Sequence, residues 1–275
     1  MFGCAQILGS LPSLTHFQYQ LVDQVFLYSA LSFAAASLFF FTMRKSVGAN
    51  YRPVIVIFGV VVSIACYHYT MIRKGWQNAF ELRDNAYEPS GVPFNDFYRY
   101  ADWILTVPLL LVALVVVMRL TRPKASLLLT KLVIASTVMI ACGYRGEIIS
   151  SPESQGVRII WGLAACIPFA YVIFVLWKEL SAVLVRQATT AKFLLSAARW
   201  VFVTSWFVYP VAFAMGSTPN AMSAASRGTE AAGGVISLQI CYAIADVASK
   251  AAFGTLIYFF VRAKTRANGS DSLPQ

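Results

Sequence analysis

The sequence predicts an all-α membrane protein, built as a bundle of seven transmembrane helices. Of its 275 residues 58% are hydrophobic and only 12% are charged, which is about half the charged share of an ordinary soluble domain. The apolar residues are also gathered into runs of about 20 residues, the length of helix that crosses the hydrocarbon core of a bilayer. A soluble protein is therefore excluded, and the lipid bilayer is the expected environment.

Seven apolar segments meet the length requirement for a membrane span. They are 22–43, 53–72, 98–118, 126–144, 157–177, 193–215 and 235–261. Charged residues, prolines and glycines separate them, as expected of loops. The N-terminus lacks the basic start and compact apolar stretch of a signal peptide, so we expect the first span to direct insertion. The organisation predicted is an extracellular segment at 1–21, a seven-helix domain at 22–264 and a cytoplasmic tail at 265–275.

The distribution of basic residues predicts the direction of the spans. Loops and helix ends on the side of the C-terminus hold twice as many lysines and arginines as those on the other side. Because cytoplasmic loops collect Lys and Arg, the C-terminus is expected inside the cell and the N-terminus outside. The net charge of +10 is then a signal of topology, and no nucleic-acid partner is implied. The cysteines lack CxxC spacing, which favours packing over disulfide or zinc sites.

Three ionisable residues fall well inside predicted spans, namely Asp102, Asp246 and Lys250. Each costs at least about 2.5–3.5 kcal/mol at the centre of a membrane helix. Asp246 and Lys250 are four residues apart and share one helix face, whereas Asp102 can approach them only from another helix. A purely structural ion pair is the simpler interpretation. Two carboxylates facing one amine nevertheless favour a functional cluster, with Arg99 and His68 as candidate compensating cations.

A buried lysine beside carboxylates predicts covalent chemistry with an aldehyde. The lysine amine condenses with carbonyl groups, and the protonated Schiff base that results needs a carboxylate counterion in a medium of low dielectric. Apolar and aromatic residues on other predicted spans could clamp a flat, elongated molecule. They are Trp103, Leu110, Phe169, Trp206, Tyr209 and Phe213.

Several motifs resemble those of the microbial rhodopsins, in the same order and spacing. RYADWILTVPLLL (99–111) resembles the third-helix signature, SWFVYPVAF (205–213) the sixth-helix retinal clamp and ADVASKAAFG (245–254) the helix of the retinal lysine. YHY (67–69) and KLVIASTVMIACGYRGE (131–147) resemble the proteorhodopsin and xanthorhodopsin branch. The resemblance extends over all seven predicted spans, from about residue 22 to 264.

The resemblance implies that Lys250 binds all-trans retinal as a protonated Schiff base. Asp102 then corresponds to the primary counterion and proton acceptor, and Asp246 to the second counterion. The residues that the resemblance places around retinal are Trp103, Leu110, Met139, Gly143, Phe169, Trp206, Tyr209, Pro210 and Phe213.

Four more positions receive roles from the same resemblance. His68 corresponds to the histidine that hydrogen-bonds the acceptor, and Thr106 to the threonine that orients it. Arg99 corresponds to the arginine gate on the extracellular side. Leu110 occupies the colour-tuning position, where leucine implies absorption of green rather than blue light.

The chain departs from the commonest pump pattern on the cytoplasmic side. Ala113 stands where many pumps carry the carboxylate that returns a proton to the Schiff base. Glu179, at the end of the fifth span, is expected too close to the headgroups to replace it, so reprotonation should be slow or pH-dependent. Glu147 and Glu230 are candidate exit-side carboxylates, although a solvated loop acid is the favoured interpretation for both.

Gly162 lies where proteorhodopsins usually carry a bulky residue beside the retinal ring. In the xanthorhodopsin branch a glycine there opens a lateral window for a carotenoid antenna. The alternative is that a small residue simply eases the packing of two membrane helices. Both interpretations stay open, and a carotenoid is a possible second cofactor.

The favoured function is a light-driven outward proton pump, an ion translocator rather than an enzyme, in the cell membrane of a bacterium. Asp102 disfavours a chloride pump, because a carboxylate repels the anion, and the Asp102, Thr106 and Ala113 triplet disfavours a sodium pump. A slow photosensor that signals through a separate partner is the alternative, and a retinal-independent receptor or transporter is the third. Protons and lipid are the expected partners, with a homo-oligomer as is common in the branch.

Overall fold

The computed structural model describes residues 11–94, 97–149, 155–216, 229–267 and residue 269. Seven helical segments in these ranges are long and apolar enough to cross a membrane, which confirms the predicted seven-helix bundle. The helices are α1 (His16–Met43), α2 (Arg52–Ala79), α3 (Phe97–Met118), α4 (Arg122–Glu147), α5 (Gln155–Leu184), α6 (Thr189–Gly216), α7 (Thr229–Val247) and α8 (Phe253–Ala267). A π-helical turn at Ala248–Ala252 joins α7 to α8, so the two form the seventh span.

The helices extend beyond the predicted spans at most ends. The first begins at His16 rather than at residue 22 because Thr15 caps it: the Thr15 hydroxyl accepts a hydrogen bond from the Gln18 amide at 3.2 Å, and the Gln18 side chain accepts one from the Thr15 amide at 2.9 Å. This reciprocal pair satisfies two backbone donors that the helix start leaves open. Span prediction follows apolar residues, whereas the helices also include polar turns beyond them. Of the predicted termini, residues 1–10, 268 and 270–275 lie outside the described part.

A small antiparallel sheet replaces the irregular loop expected after the second span. Strands β2 (Phe80–Arg83) and β3 (Ala86–Pro89) form a hairpin, and β1 (Leu14–Thr15) pairs with the other edge of β3. Asp84 and Asn85 at the hairpin tip have φ of 43° and 70°, and the tight type I′ turn requires positive φ at both central positions. The sheet was missed because its strands are too short and too mixed in polarity to show a clear alternation.

The seventh span and α3 are the most buried of the seven spans. In each of them 61% of the most apolar stretch is buried, against 22% in α4 and in α5. Successive helices pack side by side from α1 to α6, and the seventh span contacts both α1 and α6, which closes the ring. Groups on α3 and on the seventh span are therefore shielded from lipid and can face each other.

A buried carboxylate also lies in the first helix, where none was predicted. Asp23 is 4% exposed and accepts hydrogen bonds from both Nε and Nη2 of Arg73 at 3.0 and 2.8 Å, and from Gln77 at 2.9 Å. Because Arg73 and Gln77 belong to α2, this paired charge ties α1 to α2 near the end of the bundle that carries the sheet.

Candidate functional site

Lys250 lies in the middle of the bundle between two carboxylates. Its Nζ atom is 2.9 Å from Asp102 Oδ2 and 2.5 Å from Asp246 Oδ1, and all three side chains are at most 1% exposed. The π-helical turn contains Lys250, and such turns are frequent at functional sites because they alter the direction of side chains in a regular helix. The structure thus brings together the three ionisable residues that the sequence placed on two separate spans.

Asp246 is held by hydrogen bonds from three other helices. Its Oδ2 accepts a bond from the Tyr69 hydroxyl at 2.7 Å, while Oδ1 accepts bonds from the Tyr209 hydroxyl at 2.7 Å and from Trp103 Nε1 at 3.0 Å. These donors come from α2, α6 and α3 respectively. Charge-assisted hydrogen bonds of this kind stabilise a carboxylate in its ionised form, so Asp246 is suited to remain a fixed negative charge.

Asp102 is the carboxylate without such donors. Both of its oxygens are buried, and neither has a hydrogen-bond partner of good geometry among the described residues, although Lys250 lies within ion-pair distance. The two acidic side chains therefore differ: one is saturated with donors, whereas the other has lone pairs that can take a proton.

His68 and Thr106, which were expected to act on the Asp102 carboxylate, do not hydrogen-bond to it. His68 Nδ1 is 3.7 Å from Asp102 Oδ1, which is beyond hydrogen-bonding distance, and lies 3.0 Å from the Ile64 carbonyl instead. The Thr106 hydroxyl donates to the backbone carbonyl of Asp102 at 2.8 Å rather than to its carboxylate. His68 is therefore a neighbour of the acceptor, and Thr106 fixes the helix turn from which it projects.

Arg99 is completely buried one helical turn before Asp102. Its Nη1 donates to the Tyr69 hydroxyl at 3.2 Å and its Nη2 to Gln239 Oε1 at 2.5 Å, while its guanidinium carbon lies 5.0 Å from the centre of the Tyr242 ring. Since Tyr69 also donates to Asp246, a continuous chain of polar contacts leads from the lysine to the arginine.

Tyr69 and Gln239 were not singled out from the sequence, although a signal for each exists. Tyr69 belongs to the YHY motif, in which only the histidine received a role. Gln239 is a polar residue in an apolar span, seven residues before Asp246, and this spacing places both on one helix face. Buried polar groups in membrane helices, like charges, must find partners inside the bundle, and so they also mark candidate sites.

An apolar cavity of about 390 Å³ opens beside Lys250, within the range of pockets that enclose small organic ligands. Every residue that the resemblance placed around retinal lines it: Trp103, Leu110, Met139, Gly143, Phe169, Trp206, Tyr209, Pro210 and Phe213. Tyr100, Val107, Cys166, Tyr242 and Ser249 line it as well and were not anticipated. Lys250 thus contributes a primary amine to a cavity whose other walls are largely apolar.

Gly162 also borders this cavity, but Phe213 covers it. A Cβ atom added at Gly162 would lie 2.5 Å from Cε1 of the Phe213 ring, so the glycine allows close contact between α5 and α6. The guanidinium carbon of Arg158 lies 4.5 Å from the centre of the same ring. In this conformation the packing interpretation of Gly162 is the better one.

Glu147 is not the solvated loop acid that the sequence favoured. It is 8% exposed at the end of α4 and forms an ion pair with the buried Arg158 at 3.4 Å. The prediction was wrong because Arg158, which the apolar pattern placed near the edge of a span, folds inward and brings a charge to meet the carboxylate. Glu230 lies in the first turn of α7, but its side chain is outside the described part.

The half of the bundle towards the C-terminus is poor in proton carriers. Ala113 is fully buried, and its place 11 residues after Asp102 corresponds to about 16 Å along the helix. The described carboxylate in that half is Glu179, which forms a 2.8 Å ion pair with Lys124 near the helix ends and is 15% exposed.

Comparisons with known proteins agree with this geometry. The sequence model of the family described as bacteriorhodopsin-like protein matches residues 20–264. Green-light absorbing proteorhodopsin from Gamma-proteobacterium EBAC31A08 is 27% identical over 227 residues, which are 82% of this chain and 80% of that protein. The seven spans and these bacterial relatives indicate a multi-pass protein of the cell membrane.

Two solved structures share the whole fold. Xanthorhodopsin, described as a light-driven ion pump with dual chromophore, is 37% identical with a TM-score of 0.83, and thermophilic rhodopsin is 38% identical with a TM-score of 0.84. Each alignment covers 94% of this chain and 99% of the other. The chain therefore belongs to the bacteriorhodopsin-like family, as a microbial rhodopsin of the proteorhodopsin and xanthorhodopsin branch.

Proposed function

We propose that this protein is a light-driven outward proton pump that uses all-trans retinal bound to Lys250. The observation that carries the proposal is the position of Lys250 Nζ, at the wall of an apolar cavity and 2.9 Å from the buried carboxylate of Asp102, which has no other partner of good geometry among the described residues. Retinal, when bound, supplies the absorption of light and the change of shape that drives the cycle.

The residues present fit this cofactor. The cavity offers apolar and aromatic walls for a polyene, with Trp103 and Trp206 among them, and one primary amine at which an aldehyde can be attached. The buried carboxylate of Asp102, 2.9 Å from Lys250 Nζ, provides the negative charge that a cation at Nζ requires in low dielectric.

Asp102 is the residue that accepts the proton from Lys250 Nζ. The transfer runs over the 2.9 Å that separates Nζ from Asp102 Oδ2. Asp246 is the nearer carboxylate, yet Tyr69, Tyr209 and Trp103 already stabilise its negative charge. It is therefore suited to hold the site together while Asp102 changes its protonation.

Release of the proton proceeds towards the end of the bundle that carries the N-terminus. Arg99 lies on that side of Asp102, and its contacts with Tyr69 and Gln239 form a buried polar route. The Arg99 guanidinium can shift towards Asp102 or away from it when Asp102 becomes neutral. Such a shift changes the affinity for a proton of the groups along this route. The excess of basic residues at the opposite end supports an outward direction.

The proton that returns to Lys250 Nζ comes from the cytoplasmic solution. Apolar side chains fill much of the space between Lys250 and the cytoplasmic end of the bundle. The side chains that are at most 1% exposed there are Leu110, Ala113 and Leu114 on α3 and Phe253 and Ile257 on α8. Without a carboxylate at position 113, the return step is expected to be slow and to follow the proton concentration of the solution.

The decisive experiment is the light-induced pH change of unbuffered cells that make the protein with retinal. We expect acidification of the medium that an uncoupler abolishes. Lys250→Ala should lose the visible absorption band, and Asp102→Asn should keep a band but lose the acidification. A normal photocycle without any pH change would refute the pump and support the photosensor.

A carotenoid antenna at Gly162 is a second, separable proposal. It has the support of the structural similarity to xanthorhodopsin, whose description names a dual chromophore. Phe213 would have to leave its contact with Gly162 to make room. The excitation spectrum of the retinal band after addition of a carotenoid tests it, with Gly162→Trp as the variant that should abolish energy transfer.

A further inference from the structure

A second cavity, distinct from the one at Lys250, opens at the end of the bundle that carries the C-terminus. Its volume is about 440 Å³. Four basic side chains line it, together with one carboxylate and one amide: Arg119, Lys124, Arg186, Lys264, Glu179 and Gln187. Nothing in the proposed pump cycle uses this concentration of positive charge.

Four helices contribute to the walls of this cavity. Its walls come from the end of α3, the first turn of α4, the end of α5 with the turn that follows, and α8. The two most buried spans, α3 and the seventh, both contribute to these walls, and Arg119, Lys124 and Arg186 are exposed at this end of the bundle. Val117 and the buried Phe260 form part of an apolar lining beneath the charges.

Internal partners neutralise only part of the charge. Lys124 pairs with Glu179 at 2.8 Å, and Lys264 donates to the neutral Gln187 side chain at 2.9 Å. Arg119 lies over the ring of Tyr51, with 5.6 Å from the guanidinium carbon to the ring centre. Its φ of 52° lies in the left-handed region, which residues other than glycine seldom adopt.

We propose that this cavity binds a soluble polyvalent oxyanion of the phosphate class. Arginine and lysine are the side chains that recognise phosphate groups in proteins, and several of them around one space attract a multiply charged anion more strongly than a single charge. The volume lies in the range of small-molecule sites and exceeds what one phosphate group needs, which favours an anion with two or more linked phosphates. Binding of such an anion would require neither retinal nor light.

Binding of pyrophosphate to the retinal-loaded protein tests the proposal. The protein is placed in nanodiscs of phosphatidylcholine and titrated calorimetrically at constant ionic strength. The double variant Arg186→Gln/Lys264→Gln should bind at least about tenfold more weakly, because two attractive charges leave the site. The matched control Lys178→Gln/Arg266→Gln removes the same charge from residues that do not line the cavity, and it should bind within about twofold of the unmodified protein.

Glu179→Gln provides a test of opposite sign. It removes the one carboxylate of the lining and frees Lys124, so pyrophosphate should bind more tightly. Absence of binding heat, or an equal loss in both double variants, would overturn the proposal and leave only a solvated basic surface. Retention of phosphatidylglycerol by the unmodified protein but not by Arg186→Gln/Lys264→Gln, without any pyrophosphate binding, would assign the site to a lipid headgroup and overturn the soluble anion.

Discussion

Replacement of Gly254 by alanine should leave the bundle less stable than the same replacement at an uncrowded glycine, although alanine is the better helix former at both. Gly254 lies one turn beyond Lys250 on α8. A Cβ atom there would be 2.7 Å from Cδ1 of Phe58 and 2.8 Å from Cζ of Phe40, whereas ordinary contacts begin at 3.4 Å. Each ring would have to retreat by about 0.6–0.7 Å, yet both are completely buried and pack against each other with centroids 5.7 Å apart.

Gly75 is a matched glycine against which the loss of stability at Gly254 can be measured. At Gly75 of α2 an added Cβ would lie 3.7 Å from its nearest neighbours, two atoms of Phe94, so Gly75→Ala should only gain the helix propensity of alanine, about 1 kcal/mol. Gly254→Ala has the same gain but adds overpacking, which costs about 1–3 kcal/mol. The free energies of unfolding of the two variants should therefore differ by about 1–3 kcal/mol.

Unfolding of the retinal-loaded protein by sodium dodecyl sulfate in mixed micelles, followed by loss of visible absorbance, measures this difference. Comparing the two variants cancels the propensity contribution that they share. A Gly254→Ala protein as stable as Gly75→Ala would refute the reasoning, because it would show that the rings of Phe40 and Phe58 yield without cost.

Three further predictions concern single residues. Tyr69→Phe removes the hydroxyl that donates to Asp246 and accepts from Arg99, and should lower the free energy of unfolding by about 1.5–3 kcal/mol. Tyr67→Phe is the control and should change this free energy little, because Tyr67 is 59% exposed. Asp23→Asn weakens the paired contact with Arg73 and should lower the free energy of unfolding in the same assay by about 1.5–3 kcal/mol. Asp84→Asn at the hairpin tip is the control and should not change it, because Asn also tolerates positive φ. Ala113→Asp should make the decay of the deprotonated photocycle state faster and less dependent on pH in flash photolysis. Ala113→Asn, of equal size but without a titratable group, should keep the original pH dependence of this decay. Equal decay in the two variants would contradict the role given to position 113.

Much of the site could be predicted because it depends on properties that a single chain displays. Hydropathy gives the spans, and the four-residue spacing of Asp246 and Lys250 places both on one helix face without knowledge of any neighbour. The resemblance then named the residues around retinal, and each of them lines the cavity. Helix ends and the β2–β3 hairpin were predicted less well, since they depend on local hydrogen bonds such as the Thr15 cap rather than on apolar content.

The sequence by itself determined that the chain is a membrane bundle with a lysine and two carboxylates inside it. It could not determine how the two carboxylates differ, because the donors that saturate Asp246 belong to α2, α3 and α6, and their approach depends on how the helices pack. The same holds for Glu147, buried by its pairing with Arg158, and for Gly162, covered by Phe213. Apolar content is a property of one segment, whereas the environment of a charge is set by side chains from several segments, and only the tertiary structure brings those together.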